Sequence, residues 1–166
     1  MVKNIRRVAV ILILVLLLSA LGCGAQSREE GTAPDNSDIR RQMQQYQADM
    51  KAFQAGCIGQ LRAFSNSTQA NDIKAGQAAA DALKTELDGF DDILVPEACG
   101  SIQPYFQTAK EKTGDAYALM LQILGGGQYN NDDMAYMIAL KSAVQVISDS
   151  CQSGFDQLTR AIEALG

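Results

Sequence analysis

The chain has 166 residues, of which 47% are hydrophobic, so it is long enough for one domain with a buried core. Its net charge is −5, and Lys3, Arg6 and Arg7 near the N terminus supply three of its 14 positive residues. The remainder is therefore acidic, which disfavours binding to nucleic acid because phosphates would repel it. Histidine is absent, which excludes a proximal His for haem, a Ser–His or Cys–His nucleophile pair, and the usual nitrogen ligand of zinc, copper or iron.

The first predicted element is an N-terminal signal segment. Lys3, Arg6 and Arg7 precede an apolar run over 8–21, which would span about 21 Å as a helix against a bilayer core of about 30 Å. A basic start, a short apolar middle and small residues at the end are typical of a secretory signal peptide. The sequence Ala20-Leu21-Gly22-Cys23 that closes this run resembles the lipobox of bacterial lipoproteins.

The lipoprotein resemblance implies that Cys23 receives a diacylglyceryl group and becomes the first residue after cleavage. Residues 1–22 would then be the signal peptide, and 23–37, rich in Gly, Ser, Pro and charge, would be the lipidated cysteine and a flexible tether. The expected location is the bacterial cell membrane, with the domain lipid-anchored and facing outside the cytoplasm. Two alternatives stay open, namely ordinary signal cleavage after Gly22 with release, and an uncut N-terminal anchor.

The remaining residues, 38–166, carry apolar side chains at helical spacing and no alternation typical of strands. This pattern predicts four amphipathic helices. Their apolar stripes are Ile39, Met43, Tyr46, Met50, Phe53, Cys57, Leu61 and Phe64; Ile73, Gly76, Ala80, Leu83, Leu87, Phe90 and Leu94; Ile102, Phe106, Ala109, Thr113, Ala116, Met120 and Ile123; and Met137, Leu140, Val144, Ile147, Cys151, Phe155, Leu158, Ile162 and Leu165.

Turn and cap residues predict where these helices begin and end. The polar run at 65–68 should end the first helix, and Val95-Pro96 should end the second, because the residue before proline is pushed out of the helical region. Ser101 should cap the third helix with Pro104 in its first turn, and 130–133 should start the fourth. Short connections make sequential helices antiparallel, so we predict an all-α, antiparallel up-down-up-down four-helix bundle.

Three cysteines lie within the predicted domain: Cys57, Cys99 and Cys151. Outside the cytoplasm, thiols at compatible positions usually pair. Heights estimated along the bundle place Cys99 and Cys151 closest, so a disulfide between these two is expected, with Cys57 as a small core residue. A Cys57–Cys151 bridge, a Cys57–Cys99 bridge and the absence of any bridge stay open as alternatives.

No catalytic residue, metal site or cofactor is predicted. The acidic cluster of Asp88, Asp91 and Asp92 is expected to be a solvated face, with weak calcium binding as the alternative. Ile93-Leu94-Val95-Pro96 is similar to the corresponding segment of many uncharacterised secreted bacterial helical proteins, a similarity that implies no function.

The predicted function is that of a non-catalytic helical interaction module that docks an envelope protein partner. The alternative is a binder or sensor of a small apolar or amphipathic ligand held between helices. The sequence favours the interaction module because no buried polar group is expected to orient a ligand, but a cavity above about 300 Å³ in the bundle would reverse that order.

Overall fold

The computed structural model describes residues 35–127, 129 and 134–166. This part of the chain is all-α, with four α-helices and no strand. Helix α1 spans Asn36–Gln69, α2 spans Ile73–Phe90, α3 spans Gln103–Gly125 and α4 spans Met134–Ala164, and a single 3-10 turn at Glu97–Cys99 lies between α2 and α3. The signal segment and the predicted start of the fourth helix at 130–133 lie outside the described residues.

The core is built from the predicted apolar stripes. Helices α1 and α3 each contact both α2 and α4, with the most extensive contacts between α1 and α2 and between α3 and α4. One buried hydrophobic cluster joins all four helices, so the described helices share one core. The largest fully buried side chains are Tyr46, Phe64, Phe106, Met43, Met50, Leu83, Met120, Ile123, Ile147 and Leu158.

An aromatic row crosses this core at one end. Tyr46 of α1 meets Phe106 of α3 edge to face with ring centroids 5.6 Å apart, and Phe106 meets Phe155 of α4 at 5.3 Å. Gly154 lies beneath the same ring, and a Cβ atom at this position would come within 2.6 Å of Phe106. The absence of a side chain at Gly154 therefore lets α3 and α4 approach closely.

The predicted break at 65–68 is wrong, because α1 continues through it to Gln69. The hydroxyl of Ser67 donates to the carbonyl of Phe64 at 2.7 Å, and that of Thr68 donates to the carbonyl of Ser65 at 2.7 Å. These side chains bond back along the helix and leave its backbone pattern intact. Polar composition alone therefore did not end the helix.

The turn between α1 and α2 begins after Gln69 instead. Asn71 adopts a positive φ of 54°, the left-handed conformation that commonly terminates a helix and that Asn tolerates. Asp72 then caps α2, since its side chain accepts a hydrogen bond from the backbone N–H of Ala75 at 3.0 Å. The two helices are thus joined by a tight turn whose polar groups are satisfied locally.

Helix α2 ends at Phe90, earlier than the stripe that was predicted to reach Leu94. Leu94 is 88% exposed, so its assignment to the core stripe is wrong. Asp91 and Asp92 follow the last helical residue, where the negative end of the helix dipole disfavours further carboxylates. The chain then stays non-helical as far as Pro96.

The start of α3 is also corrected in one respect. Ser101 does not cap it, because the N-cap position is Ile102, which makes no side-chain capping bond. Backbone bonds from Ile102 N–H to the Cys99 carbonyl at 2.9 Å and from Tyr105 N–H to the Ile102 carbonyl at 3.1 Å lead the chain into the helix. The prediction that Pro104 lies in the first turn is confirmed.

Candidate functional site

The candidate site is an open cavity of about 680 Å³ between the first half of α1 and the segment that follows α2. This volume is within the range of small-molecule sites. We call it the Tyr46 groove. Its lining residues are Gln42, Gln45, Tyr46, Asp49, Gly89, Asp92, Ile93, Leu94, Val95 and Pro96.

The early end of α2 shapes this groove. Phe90 is buried against Phe53 of α1, with ring centroids 4.8 Å apart, and this contact fixes the end of α2 on α1. Ile93 is half-buried and packs on the core, whereas Leu94 is almost fully exposed at the groove. A longer α2, as the stripe predicted, would not place the non-helical segment 91–96 along α1.

Tyr46 supplies a buried polar group at the wall of the groove. Its side chain is 1% exposed, and its hydroxyl has no hydrogen-bond partner among the described residues. Burial, together with the nearby Cys99 thiol, raises the pKa of Tyr46 to about 12, so the hydroxyl keeps its proton at neutral pH. An unpaired buried hydroxyl destabilises a fold by about 1–3 kcal/mol.

The groove also carries negative charge. Asp49 and Asp92 line it, and no Lys or Arg is among its lining residues in the described part of the chain. The side-chain amide of Gln45 donates a hydrogen bond to Asp49 at 2.8 Å. Because this amide is neutral, the bond does not offset the negative charge of the carboxylate. The nearest cation along α1, Arg41, is paired with Asp38 at 3.0 Å.

The acidic cluster of the sequence analysis is divided in the structure. Asp88 pairs with Lys84 at 2.7 Å and Asp91 pairs with Lys110 at 2.6 Å, and both carboxylates are exposed to solvent, as predicted for a solvated face. Asp92 is exposed too, but it lines the Tyr46 groove. Among the described residues, no group of three or more Cys, Asp or Glu side chains is placed to hold a metal ion.

The predicted Cys99–Cys151 disulfide is not formed, because both residues are free thiols in the structure. Cys99 lies near Tyr46, whereas the Cys151 thiol lies near that of Cys57. Tyr46 and Cys57 are three turns apart on α1, or about 16 Å, which is beyond the Cα separation of a disulfide. The alternative pair, Cys57 and Cys151, also consists of free thiols.

These thiols are held in their neutral form. Burial raises the pKa of Cys57 to about 12 and that of Cys151 to about 12, and burial also raises the pKa of Cys99. A nucleophilic cysteine needs the opposite shift, so the expectation that Cys57 is a small core residue is confirmed. Cys23, the predicted lipidation site, lies outside the described residues.

A second open cavity, of about 530 Å³, lies between the end of α1 and the start of α4. We call it the α1–α4 groove. Met134 and Ile138 on its α4 side are 66% and 61% exposed, and Arg62 and Lys141 also line it. It therefore combines exposed apolar surface with basic side chains.

Sequence reasoning did not single out Tyr46. It placed this residue on a core stripe and expected no buried polar group to orient a ligand, whereas the Tyr46 hydroxyl is buried and has no partner among the described residues. The available signal was the residue type itself, since a buried tyrosine needs a partner for its hydroxyl. Leu94 was missed for a different reason, namely that the length of α2 was overestimated.

In the described ranges, no helix is both long and apolar enough to cross a membrane. Comparison of the chain with protein-family models, with curated proteins and with solved structures gave no match.

Proposed function

We propose that this protein is a lipid-anchored, extracytoplasmic, non-catalytic helical bundle that binds a small amphipathic ligand in the Tyr46 groove. The observation that carries this proposal is an open groove of about 680 Å³, lined by Tyr46 of α1 on one side and by an apolar segment, 93–96, on the other. Its volume is within the range of small-molecule sites. The groove lies at the surface of α1, so it is not the cavity inside the bundle that the sequence analysis set as the condition for ligand binding.

An antiparallel up-down-up-down arrangement of the helices is part of the proposal. It is supported by contacts that pair α1 and α4 in reverse order. Arg40 donates to the carbonyl of Gly166 at 3.2 Å. Gln47 lies two turns after Arg40 in α1, and it donates at 3.2 Å to Thr159, which lies two turns before Gly166. Lys51 continues the series, with its ammonium 5.8 Å from the Phe155 ring centroid.

The position of the groove suits a ligand that comes from a membrane. Its α1 residues, 42–49, lie in the first four turns of the helix, close to where the tether predicted at 23–37 joins the domain. A flexible tether of that length has a mean reach of about 20 Å. The groove would therefore stay near a bilayer to which Cys23 is anchored, where amphiphiles are concentrated.

The anchor is tested by intact mass spectrometry of the full chain extracted from the membranes of a bacterial host. The account expects a mass that corresponds to the chain from Cys23 onward with attached acyl groups, and a Cys23→Ala variant without them. A wild-type mass without acyl groups would refute the anchor and leave the groove unaffected.

Ligand binding is tested by thermal unfolding of the full chain with octyl glucoside below its micelle concentration. A ligand present at about 100 times its Kd stabilises a protein by about 2.7 kcal/mol, so the midpoint should rise with the logarithm of the ligand concentration. Leu94→Ala should weaken this rise, whereas Leu121→Ala, a 46% exposed leucine on α3, should leave it unchanged. A midpoint that does not move in the wild type would refute the proposal.

The α1–α4 groove supports a second candidate function, the docking of an envelope protein partner. Met134 and Ile138 are exposed apolar side chains on the first turns of α4, and such surface is typical of interaction sites. A photo-crosslinking residue at position 138 should then capture one defined protein in the native envelope, while the same residue at position 156, which is Asp and exposed, should not. Equal capture at both positions would refute docking at this groove.

A further inference from the structure

The charge on the Tyr46 groove distinguishes between kinds of amphiphile. Asp49 and Asp92 lie on it from two sides, one on α1 and the other on the segment after α2. Neither forms an ion pair among the described residues, although four other ion pairs are formed there. The carboxylates that line the groove therefore have no cation of the described residues to neutralise them.

The basic residues of α1 beside the groove are engaged elsewhere. Arg41 is paired with Asp38, Arg40 donates to the carbonyl of Gly166, and the Lys51 ammonium lies 5.8 Å from the centroid of the Phe155 ring on α4. Lys110 of α3 is paired with Asp91, the residue before Asp92. An anionic head group in the groove would therefore meet two carboxylates and no free cation of the described chain. A cationic head group would find attractive partners in both.

We infer that the Tyr46 groove selects amphiphiles with a cationic head group, such as an alkylammonium, and this inference rests on the proposed function. The ammonium group lies between Asp49 and Asp92, and the alkyl chain covers the apolar side chains of Ile93 and Leu94. The groove thus has one partner for the head group and another for the alkyl chain.

The expected selectivity is moderate, because both carboxylates are in contact with water. Exposed charge pairs contribute about 0.2–1 kcal/mol each, so two of them should favour an ammonium over a neutral head group of the same chain length by about two- to thirty-fold. A sulfate head group should bind more weakly than the neutral one because the same carboxylates repel it.

The test uses three photoreactive probes that share one diazirine-bearing dodecyl chain and differ only in the head group, which is trimethylammonium, glucoside or sulfate. Each probe is mixed with the full chain and phosphatidylcholine vesicles, irradiated, and the labelled positions are mapped by mass spectrometry of peptides. Peptides that contain 42–49 and 92–96 report on the groove, and those from the middle of α4 report on non-specific labelling.

The variants isolate the effect of charge. Asp49→Asn combined with Asp92→Asn removes both carboxylates with little change in shape. Asp156→Asn is the matched control, because Gln152 donates to Asp156 at 2.8 Å just as Gln45 donates to Asp49 at 2.8 Å, and Asp156 does not line the groove. Circular dichroism checks that each variant keeps its helices.

The inference predicts that labelling of the groove is about two- to thirty-fold stronger with the ammonium probe than with the glucoside probe, and weakest with the sulfate probe. The preference should vanish in the double variant and persist in Asp156→Asn. If all three probes label the groove equally, or if the sulfate probe labels it most strongly, the inference is overturned. The same result would still support the proposed function, because an amphiphile would then bind in the groove. No labelling of the groove by any probe would overturn both.

Discussion

Replacement of Tyr46 by Phe separates the cost of the buried hydroxyl from the packing of the ring. The ring is 1% exposed and meets Phe106 edge to face at 5.6 Å, a contact that Phe would keep. The hydroxyl has no partner among the described residues, and a buried donor left unsatisfied costs about 1–3 kcal/mol. Tyr46→Phe should therefore raise the free energy of unfolding of the unliganded protein, by about 1 kcal/mol.

Urea unfolding followed by circular dichroism measures this change. With a typical slope of about 1–3 kcal/mol per molar urea, the midpoint should rise by about 0.5 M while the slope stays constant. Tyr105→Phe is the control, since Tyr105 is 38% exposed on α3 and its change should be within about 0.5 kcal/mol of zero.

The result that would refute this reasoning is a Tyr46→Phe variant that is less stable than the wild type by 1 kcal/mol or more. Such a loss would mean that the hydroxyl has a stabilising partner in the free protein.

The packing of the core and its buried thiols make two further predictions. Gly154→Ala should destabilise the fold by about 1–3 kcal/mol, because the added Cβ would clash with Phe106. Gly114→Ala in the middle of α3 should instead stabilise it by about 0.5–1 kcal/mol, because a Cβ there meets nothing within 4 Å. Equal effects of the two variants on the free energy of unfolding in urea would contradict this account. Folded Cys57 and Cys151 stay protonated to about pH 12, while in the unfolded chain thiols ionise near pH 9.0, so the free energy of unfolding should fall as the pH rises from about 9 to 12. Cys57→Ala combined with Cys151→Ala should reduce this slope, and an unchanged slope would contradict the assignment.

The apolar periodicity of the sequence predicted the four helices and most of the core. Phe106, Met120 and Ile147 lie on the predicted stripes and are fully buried, because a repeat near 3.6 residues places such side chains on one face of a helix. Helix ends were harder to predict. Ser67 and Thr68 were interpreted as a break, but their hydroxyls bond to helix carbonyls, and only the three-dimensional path of the chain decides between these two roles.

The candidate site was not predictable from periodicity. Leu94 fits the α2 stripe, yet the helix ends four residues earlier and leaves it exposed. Tyr46 fits the α1 stripe, and periodicity describes where its ring lies but not whether its hydroxyl has a partner. The partner depends on how the segment 91–96 passes along α1, which is a tertiary property. The expected disulfide between Cys99 and Cys151 is not seen in the structure for a similar reason. The heights on which that expectation was based were those of ideal helices, and they did not include the 3-10 turn that places Cys99 near Tyr46.

The central claim, that an amphiphile binds in the Tyr46 groove, is tested most directly by methyl NMR of the full chain during titration with octyltrimethylammonium below its micelle concentration. The account predicts saturable shifts of the methyl groups of Ile93, Leu94 and Val95, with those of Ile147 and Leu158 in the buried core unchanged. The absence of chemical shift changes at the groove methyl groups would contradict the account. Changes that spread evenly over groove and core without saturation would contradict it as well.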